Sequence, residues 1–182
     1  MSHIGLFLAE GLEEIEGLTV VDLLRRAGIK VTTIALTGKK QVTGSHNITI
    51  IADVIWEEAD FSAYEGLVLP GGMPGTRYLS EHEGILKMIE EYHQKEKLVA
   101  AICAAPSVLG KAGVLQGKRA VCYPGFENQL EGATVSQEQV VRDGNIITSR
   151  SMGTAIPFGL EIISYFLGEK KAKEIAASIL VE

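Results

Sequence analysis

The chain has 182 residues, of which 46% are hydrophobic and 22% are charged, and its formal net charge is −6. This length suits one globular domain and leaves no room for a second full one, so we expect a single domain over residues 1–182. The acidic balance, without a run of Lys or Arg, excludes a nucleic-acid face that works by neutralising phosphates, and no segment approaches the roughly 20 apolar residues of a membrane span.

The N-terminal segment and the cysteines bear on the cellular compartment. The apolar run at residues 4–9 is followed at once by acidic residues, unlike the basic start and long apolar stretch of a secretion signal. Cys103 and Cys122 form no Cys-x-x-Cys motif, so we expect no disulfide framework. The four histidines have no ligand spacing, so we also expect no metal site. These features predict a protein of the reducing cytoplasm.

Hydrophobic periodicity predicts alternating strands and helices through the first half of the chain. The predicted strands are residues 4–9, 29–36 and 66–69, with a hairpin formed by residues 41–43 and 47–51. The predicted helices are residues 14–27, 75–79 and 84–94. Gly28 and the Pro70-Gly71-Gly72 turn are typical of the ends of such elements.

The second half continues this alternation. A strand at residues 98–102 runs into a helix at 105–112, shorter strands are predicted at 119–122, 133–135, 140–142 and 146–148, and helices at 154–167 and 170–180. Strands that alternate with helices imply crossover connections, which give a mainly parallel sheet with helices on both faces. The sequence therefore predicts an α/β fold whose catalytic edge lies at the carboxyl ends of its strands, where the turns after Ala9, after Leu69 and at Cys103 meet.

Cys103 lies where an apolar strand pattern ends and a helix pattern begins. A side chain at such a corner projects from the carboxyl edge of the sheet above the positive end of the next helix, which favours a thiolate. The corner resembles the nucleophile elbow of hydrolases, and small Ala104 and Ala105 allow the tight turn. The alternative is a small buried hydrophobic cysteine, which is the interpretation that we favour for Cys122.

Two further loops at this edge carry groups that suit nucleophilic chemistry. Glu16 lies in the first turn of its helix, where a carboxyl is either an ordinary partner of the helix dipole or, if protonated, a donor to the thiolate that moves a proton during turnover. Gly71 and Gly72 either form a plain turn or offer backbone N–H groups. In the second case the N–H groups of Gly72 and Ala104 bind the oxyanion that forms when the sulfur attacks a carbonyl.

Four segments together resemble the ThiJ/PfpI superfamily. They are LAEGLEEIE from Leu8, LPGGMPG from Leu69, AICAAP from Ala101 and TSRSMGT from Thr148. The likeness covers nearly the whole chain and is closest to the branch of the parkinsonism-associated deglycase and its bacterial relatives. It implies a class I glutamine amidotransferase-like domain with a flavodoxin-like three-layer sandwich.

The resemblance also implies roles for individual residues. Cys103 matches the family's oxidation-sensitive nucleophile, Glu16 the carboxyl that hydrogen-bonds to it, and Gly72 with Ala104 the backbone donors beside it. The family is usually homodimeric, with the first helix in the interface. An apolar face on that helix supports the same expectation here, and its members are Ile15, Leu18, Val21 and Leu24.

Other positions are candidate substrate contacts or depart from the family pattern. Gly71 and Arg150 are such candidates, with a salt bridge as the alternative for Arg150. Tyr123 stands where some relatives have a pocket histidine, and it is a poor general base because the pKa of a tyrosine is about 10. His46, also a candidate, stands where some relatives have an interface arginine. Ala104 replaces a histidine of the peptidase-like branch, so we expect no Cys–His hydrolytic pair and no peptidase activity.

The resemblance implies a cofactor-free glyoxalase or deglycase that acts on methylglyoxal, glyoxal or their glycated adducts and protects against oxidative stress. Cys103 attacks the aldehyde, Glu16 shuttles a proton through an enediol, and hydrolysis of a thioester releases a 2-hydroxy acid. The alternative is a non-catalytic redox sensor or chaperone in which Cys103 becomes a sulfinate that Glu16 stabilises. In either case we expect the helix dipole and amide donors to lower the pKa of Cys103.

Overall fold

A computed structural model describes residues 2–181, in which strands and helices alternate. The strands are β1 (His3–Leu8), β2 (Lys30–Ala35), β3 (Gln41–Thr43), β4 (Thr49–Ile51), β5 (Val54–Ile55), β6 (Gly66–Leu69), β7 (Leu98–Ile102), β8 (Arg119–Ala120), β9 (Thr134–Val135), β10 (Val140–Asp143) and β11 (Ile146–Ser149). The helices are α1 (Glu14–Arg26), α2 (Gly75–Glu81), α3 (Glu83–Gln94), α4 (Pro106–Lys111), α5 (Ala155–Leu167) and α6 (Glu169–Ser178). Within residues 2–181, none of these helices has the length and apolar character that crossing a bilayer requires.

The central sheet has the strand order β10-β11-β7-β6-β1-β2-β5. Neighbouring strands run parallel except at one edge, where β10 and β11 are antiparallel. The chain passes from β1 to β2 on one side of the sheet's centre and from β6 to β7 on the other. The loops after β1 and β6 therefore lead to helices on opposite faces of the sheet. In open α/β sheets ligands bind in the crevice that such a divergence creates.

Helices cover both faces of this sheet because its inner strands are apolar on both sides. Along β1, Ile4, Leu6 and Leu8 join one hydrophobic core and Phe7 joins the other. Side chains of α1, α5 and α6 complete the first core, and side chains of α2, α3 and α4 complete the second. The expected α/β three-layer sandwich with a mainly parallel sheet is confirmed.

Smaller elements differ from the sequence prediction. β5 was not predicted, because two residues are too short to show a period. The strand predicted at 119–122 ends after Ala120 and pairs with β9 in a separate two-stranded sheet, while the N–H of Val121 donates to the side chain of Thr148 at 3.0 Å. The predicted hairpin is present as the antiparallel pair of β3 and β4.

The carboxyl ends of β1, β6, β7 and β11 lie at one edge, and backbone hydrogen bonds join the loops that follow them. The N–H of Glu13 donates to the carbonyl of Gly71 at 2.9 Å, which links the loop after β1 to the loop after β6. The N–H of Cys103 donates to the carbonyl of Ser149 at 3.0 Å, which links the ends of β7 and β11. The loops therefore converge at this edge, as the sequence predicts.

The hairpin of β3 and β4 closes over the start of α1. The N–H of Ser45 donates to the carbonyl of Leu12 at 2.9 Å. Glu14 is buried, accepts a hydrogen bond from the N–H of His46 at 2.8 Å and lies 3.0 Å from Nδ1 of that ring. Burial alone would raise the pKa of Glu14, but these hydrogen bonds outweigh it and lower the pKa to about 2. A carboxylate that is charged at neutral pH thus fixes the first turn of α1, which carries Glu16.

Candidate active site

A strained backbone conformation forms the elbow at Cys103. This residue has φ +67°, in the left-handed region that residues with a side chain rarely adopt. It lies between β7 and α4, and its carbonyl accepts a hydrogen bond from the N–H of Tyr123 at 2.8 Å. Such a conformation costs on the order of 1–3 kcal/mol and is typical of functional sites. The structure therefore places Cys103 at a sharp strand-to-helix corner.

Glu16 reaches the sulfur of Cys103 from α1. Its side chain is 1% exposed, and Oε2 accepts a hydrogen bond from the N–H of Gly71 at 2.9 Å. The Cys103 side chain and the backbone N–H of Met152 also lie close enough to the carboxyl to lower its pKa. A buried carboxyl needs such partners, because burial without them is costly. Of the two interpretations of Glu16, the structure favours a partner of Cys103.

Gly71 and Gly72 let the loop after β6 approach both of these side chains. A Cβ atom at Gly71 would lie 2.6 Å from Cβ of Cys103 and 2.6 Å from Oε2 of Glu16. Gly72 has φ +89°, and a Cβ atom there would lie 2.2 Å from the backbone nitrogen of Glu13. All of these distances are far below van der Waals contact, so glycine is the residue that fits at both positions.

Burial and mutual repulsion govern the ionisation of this pair. Burial raises the pKa of Glu16 to about 7, although hydrogen bonds from Cys103 and Gly71 oppose this. Burial, and then the charge of the Glu16 carboxylate, raise the pKa of Cys103 to about 12, which the N–H groups of Ala104 and Gly72 oppose. Two acids this close do not both ionise near neutral pH. The pair therefore carries one negative charge above about pH 7 and none below it.

The sequence predicts a lowered pKa for Cys103, and this prediction is wrong because the pKa is raised. The backbone donors do favour the thiolate, but burial and the neighbouring carboxylate have larger effects of opposite sign. A thiolate forms here when Glu16 takes up the proton. Glu16 lies within hydrogen-bonding reach of the thiol and has a pKa suited to that role at neutral pH.

The remaining predicted groups near the sulfur have different functions. The N–H groups of Gly72 and Ala104 act on the sulfur, as expected of backbone donors. Gly71, a candidate substrate contact, instead uses its N–H to hold the carboxyl of Glu16. The side chain of Tyr123 is 45% exposed beside the elbow, where a substrate can reach it.

His46 and Arg150 interact with groups other than the pair of Glu16 and Cys103. His46 is 66% exposed on the hairpin and pairs with Glu14. Arg150 follows β11, and its charge acts on Cys122, whose pKa is raised to about 11 by burial and by Glu127 and is lowered in part by Arg150. Cys122 is 4% exposed, in agreement with its interpretation as a core residue.

Glu13, Glu14 and His46 form a cluster whose potential ligand atoms lie within 4.8 Å of one another. A divalent cation would need free lone pairs on the carboxylates. The Oε1 atom of Glu14 already accepts hydrogen bonds from the N–H groups of His46 and Ile48, and Oε2 faces the His46 ring. Fixing the hairpin explains this cluster, so it gives no reason to infer a metal site.

Sequence reasoning missed an exposed apolar rim around the site. Met152, whose N–H contacts Glu16, has a side chain that is 50% exposed, and Met73, next to Gly72, is 53% exposed. With Tyr123 these side chains form what we call the apolar rim. The two methionines lie in the LPGGMPG and TSRSMGT segments, which were the signal that could have identified them.

Comparisons with known proteins agree with this geometry. Residues 2–165 match the model of the DJ-1/PfpI family. The chain is 40% identical over 176 residues to protein dj-1beta of Drosophila melanogaster, covering 96% of this chain and 94% of that protein. It is 35% identical to the Parkinson disease protein 7 homolog of Danio rerio, and the match covers 96% of this chain and 95% of that protein. The solved structure of oxidised Toxoplasma gondii DJ-1 superposes on this chain with a TM-score of 0.95 and 32% sequence identity. The match covers 100% of this chain and 99% of that one. These likenesses confirm the flavodoxin-like class.

Glu16→Gln should lower the pKa of Cys103, because the variant keeps a side chain of nearly the same shape but loses the charge that opposes the thiolate. The ultraviolet absorbance of the thiolate, titrated against pH in a Cys122→Ala background, measures this. We expect the midpoint to fall well below the value of about 12 that holds with Glu16. Glu57→Gln, on an exposed turn, is the matched control. Equal midpoints with glutamate and glutamine at position 16 would contradict the coupling.

Proposed function

Because the chain belongs to the DJ-1/PfpI family, we propose that it is a cysteine-dependent enzyme that converts methylglyoxal, glyoxal or their adducts into 2-hydroxy acids without a cofactor. Membership of this family supports a function related to oxidative stress. The observation that carries the proposal is the buried contact of Glu16 with Cys103, in which the N–H of Gly71 fixes the carboxyl.

Glu16 first acts as a general base. With a pKa of about 7 it is a carboxylate at slightly alkaline pH and still accepts a proton readily. As the sulfur of Cys103 bonds to the aldehyde carbon, the thiol proton passes to Glu16. Glu16 then gives this proton to the carbonyl oxygen, which completes the hemithioacetal and leaves Glu16 a carboxylate again. The N–H groups of Gly72 and Ala104 stabilise the negative charge that develops during this step.

Glu16 then moves a proton between the two carbons of the substrate. The carboxylate removes the proton from the carbon that bears the sulfur, and the oxygen of the adjacent carbon takes up a proton, which gives an enediol. Glu16 then returns its proton to the adjacent carbon while the hydroxyl on the sulfur-bearing carbon loses its proton and becomes the thioester carbonyl. The product is the thioester of a 2-hydroxy acid. Water adds to the thioester, the carbon–sulfur bond breaks, and Cys103 regains its proton. One dicarbonyl and one water give one hydroxy acid, so the balance needs no oxidant or reductant.

Peptide hydrolysis is not expected from this site. Ala104 follows the nucleophile, so that position supplies no base. The histidines of the chain make hydrogen bonds in other parts of the structure: His3 with Thr32, His46 with Glu14, His82 with the N–H of Ile85, and His93 with Asn145. A cysteine–histidine pair of the protease type would require one of these side chains to move to the elbow.

A redox sensor or chaperone is the second candidate function, and it uses the same pair. A peroxide oxidises the sulfur of Cys103 stepwise to a sulfinate, and a neutral Glu16 carboxyl donates a hydrogen bond to that anion. The observation that favours this candidate is that a similar protein, DJ-1 of Toxoplasma gondii, has been solved in an oxidised form. Under this alternative the protein is oxidised and does not turn dicarbonyls over.

We further propose a homodimer formed through the outer face of α1. Ile15 is 48% exposed and Leu18 is 40% exposed, and a twofold interface would cover both. Val21 and Leu24, which the sequence pattern placed on the same surface, are buried in the chain's own core. We place the protein in the reducing cytoplasm, which suits a chain with two free cysteines.

Wild-type protein should form lactate from methylglyoxal without glutathione. Its kcat/KM should rise with pH through about 7, because the Glu16–Cys103 pair then loses its first proton and gains a base. Glu16→Gln should abolish this rise and reduce turnover about 10²- to 10⁴-fold, as is typical when a positioned acid–base group is lost. Chromatographic detection of lactate over a range of pH measures both effects.

The matched control for this experiment is Cys122→Ala, which removes the other thiol and should retain turnover. Cys103→Ala should be inactive. Equal lactate formation by Cys103→Ala and wild type would contradict the mechanism. If wild type forms no lactate and mild peroxide adds two oxygen atoms to Cys103, the redox sensor replaces the enzyme as the better account.

Sedimentation at micromolar concentration should show a dimer for wild type and a monomer for Leu18→Lys, because a charge at the centre of an apolar interface opposes association. Leu180→Lys is the control, since this exposed leucine near the C-terminus lies outside α1. A wild-type monomer at that concentration would show that the dimer proposal is wrong.

A further inference from the structure

A groove between α2 and α4 opens beside the walls of the active site. It encloses about 440 Å³, and Met73 and Ser107 are among its lining residues. Met73 directly follows Gly72, and Oγ of Ser107 donates to the carbonyl of Ala104 at 2.6 Å. The groove therefore lies next to the two residues whose N–H groups act on the sulfur. Its volume equals that of about 15 water molecules, far more than a small dicarbonyl fills.

The wall of this groove has an excess of positive charge. Arg77 and Lys111 line it, together with one carboxylate, that of Glu131. The Nζ atom of Lys111 donates to the carbonyl of Ser80 at 2.7 Å, which leaves its charge and two of its three N–H donors available. No carboxylate within residues 2–181 lies within 4.0 Å of that atom.

Arg77 is also weakly paired. Its Nε atom lies 3.9 Å from Oε1 of Glu81, and both side chains are more than half exposed. Such a surface pair contributes little and leaves the guanidinium donors free for another anion. The two cations of the groove therefore both retain binding capacity.

A buried hydroxyl in the same wall has no partner. Thr76 lines the groove and is 3% exposed, and among residues 2–181 its Oγ1 atom makes no hydrogen bond. Unpartnered buried hydroxyls are uncommon in folded proteins and call for an explanation. The Oγ1 atom of Thr76 is closed off from solvent, so a ligand oxygen in the groove reaches it only when the Thr76 side chain rotates about its Cα–Cβ bond.

We propose that the groove is a second substrate subsite, which binds the carboxylate end of an anionic aldehyde whose dicarbonyl end reacts at Cys103. This inference rests on the proposed function and names its substrate class as α-oxoaldehydes with a carboxylate on a short carbon chain. Arg77 and Lys111 bind the carboxylate through charge-assisted hydrogen bonds, and a rotation of the Thr76 side chain about its Cα–Cβ bond brings its hydroxyl to one of the carboxylate oxygens. The ring of Phe126, which also lines the groove, contacts the carbon chain.

A matched pair of substrates tests the subsite. One is an α-oxoaldehyde with two methylene groups between its ketone and a free carboxylate, and the other is the methyl ester of the same compound. We expect wild type to prefer the acid by about tenfold or more in kcat/KM, the size of effect that a charge-assisted contact gives. The acid-to-ester ratio should fall towards one in Arg77→Gln and in Lys111→Gln.

The control is Lys87→Gln, which removes the same charge from an exposed position on α3 and should keep the ratio. A ratio near one in wild type, or the same fall in Lys87→Gln as in the groove variants, overturns the subsite. Arg77 is more than half exposed, so its variant tests the proposal even if Lys111→Gln folds poorly.

A binding measurement separates the subsite from the proposed function. Cys103→Ala is titrated with a methyl ketone that carries the same carboxylate chain and cannot be turned over. Shifts of the NMR amide signals of Thr76 and Lys111, reduced in Arg77→Gln, support the subsite even if wild type turns over no aldehyde. If these amide signals do not change even at the solubility limit of the ligand, the subsite is overturned, whatever the turnover of methylglyoxal.

Discussion

A buried carboxyl and a largely buried thiol share one site, and the rest of the active centre depends on that contact. Two acids in a space with little water cannot both carry charge near neutral pH, so Glu16 and Cys103 titrate as a unit. Because the first proton leaves at a pH of about 7, the pair changes charge within the physiological range. In the proposed function these two residues provide the nucleophile and its base.

The fold produces this contact by ending four strands at one edge. Glu16 follows β1, Gly71 follows β6, Cys103 follows β7 and Met152 follows β11. A hydrogen bond from the N–H of Gly71 holds the carboxyl near the sulfur, and the N–H of Met152 further favours its charged form. A packed parallel sheet keeps its strand ends in register, so the positions of these groups are set by the core rather than by flexible loops. The strained backbone of Cys103 is tolerated for the same reason.

The features that local sequence determines were predicted well. Hydrophobic periodicity and turn residues predicted the order of strands and helices. The change from a strand pattern to a helix pattern identified the corner at Cys103. Features that depend on how separate loops fold were not predicted, and the contact by which His46 holds the hairpin on Glu14 is the clearest example. The pKa of Cys103 shifts in the opposite direction to the prediction because burial of the thiol, and then the charge of Glu16, 87 positions away in the chain, both raise it. A local sequence pattern reveals neither effect.

Infrared spectra of the Glu16 carboxyl test the shared charge most directly. A protonated carboxyl has a carbonyl stretch that the carboxylate lacks, and the difference between wild type and Glu16→Gln isolates the band of this residue. The account predicts that the band disappears in wild type as the pH rises through about 7, and that it persists to higher pH in Cys103→Ala, which loses a hydrogen bond that favours the carboxylate. A wild-type band that is already lost by about pH 5 would contradict the account, because Glu16 would then behave as an ordinary solvent-exposed carboxyl.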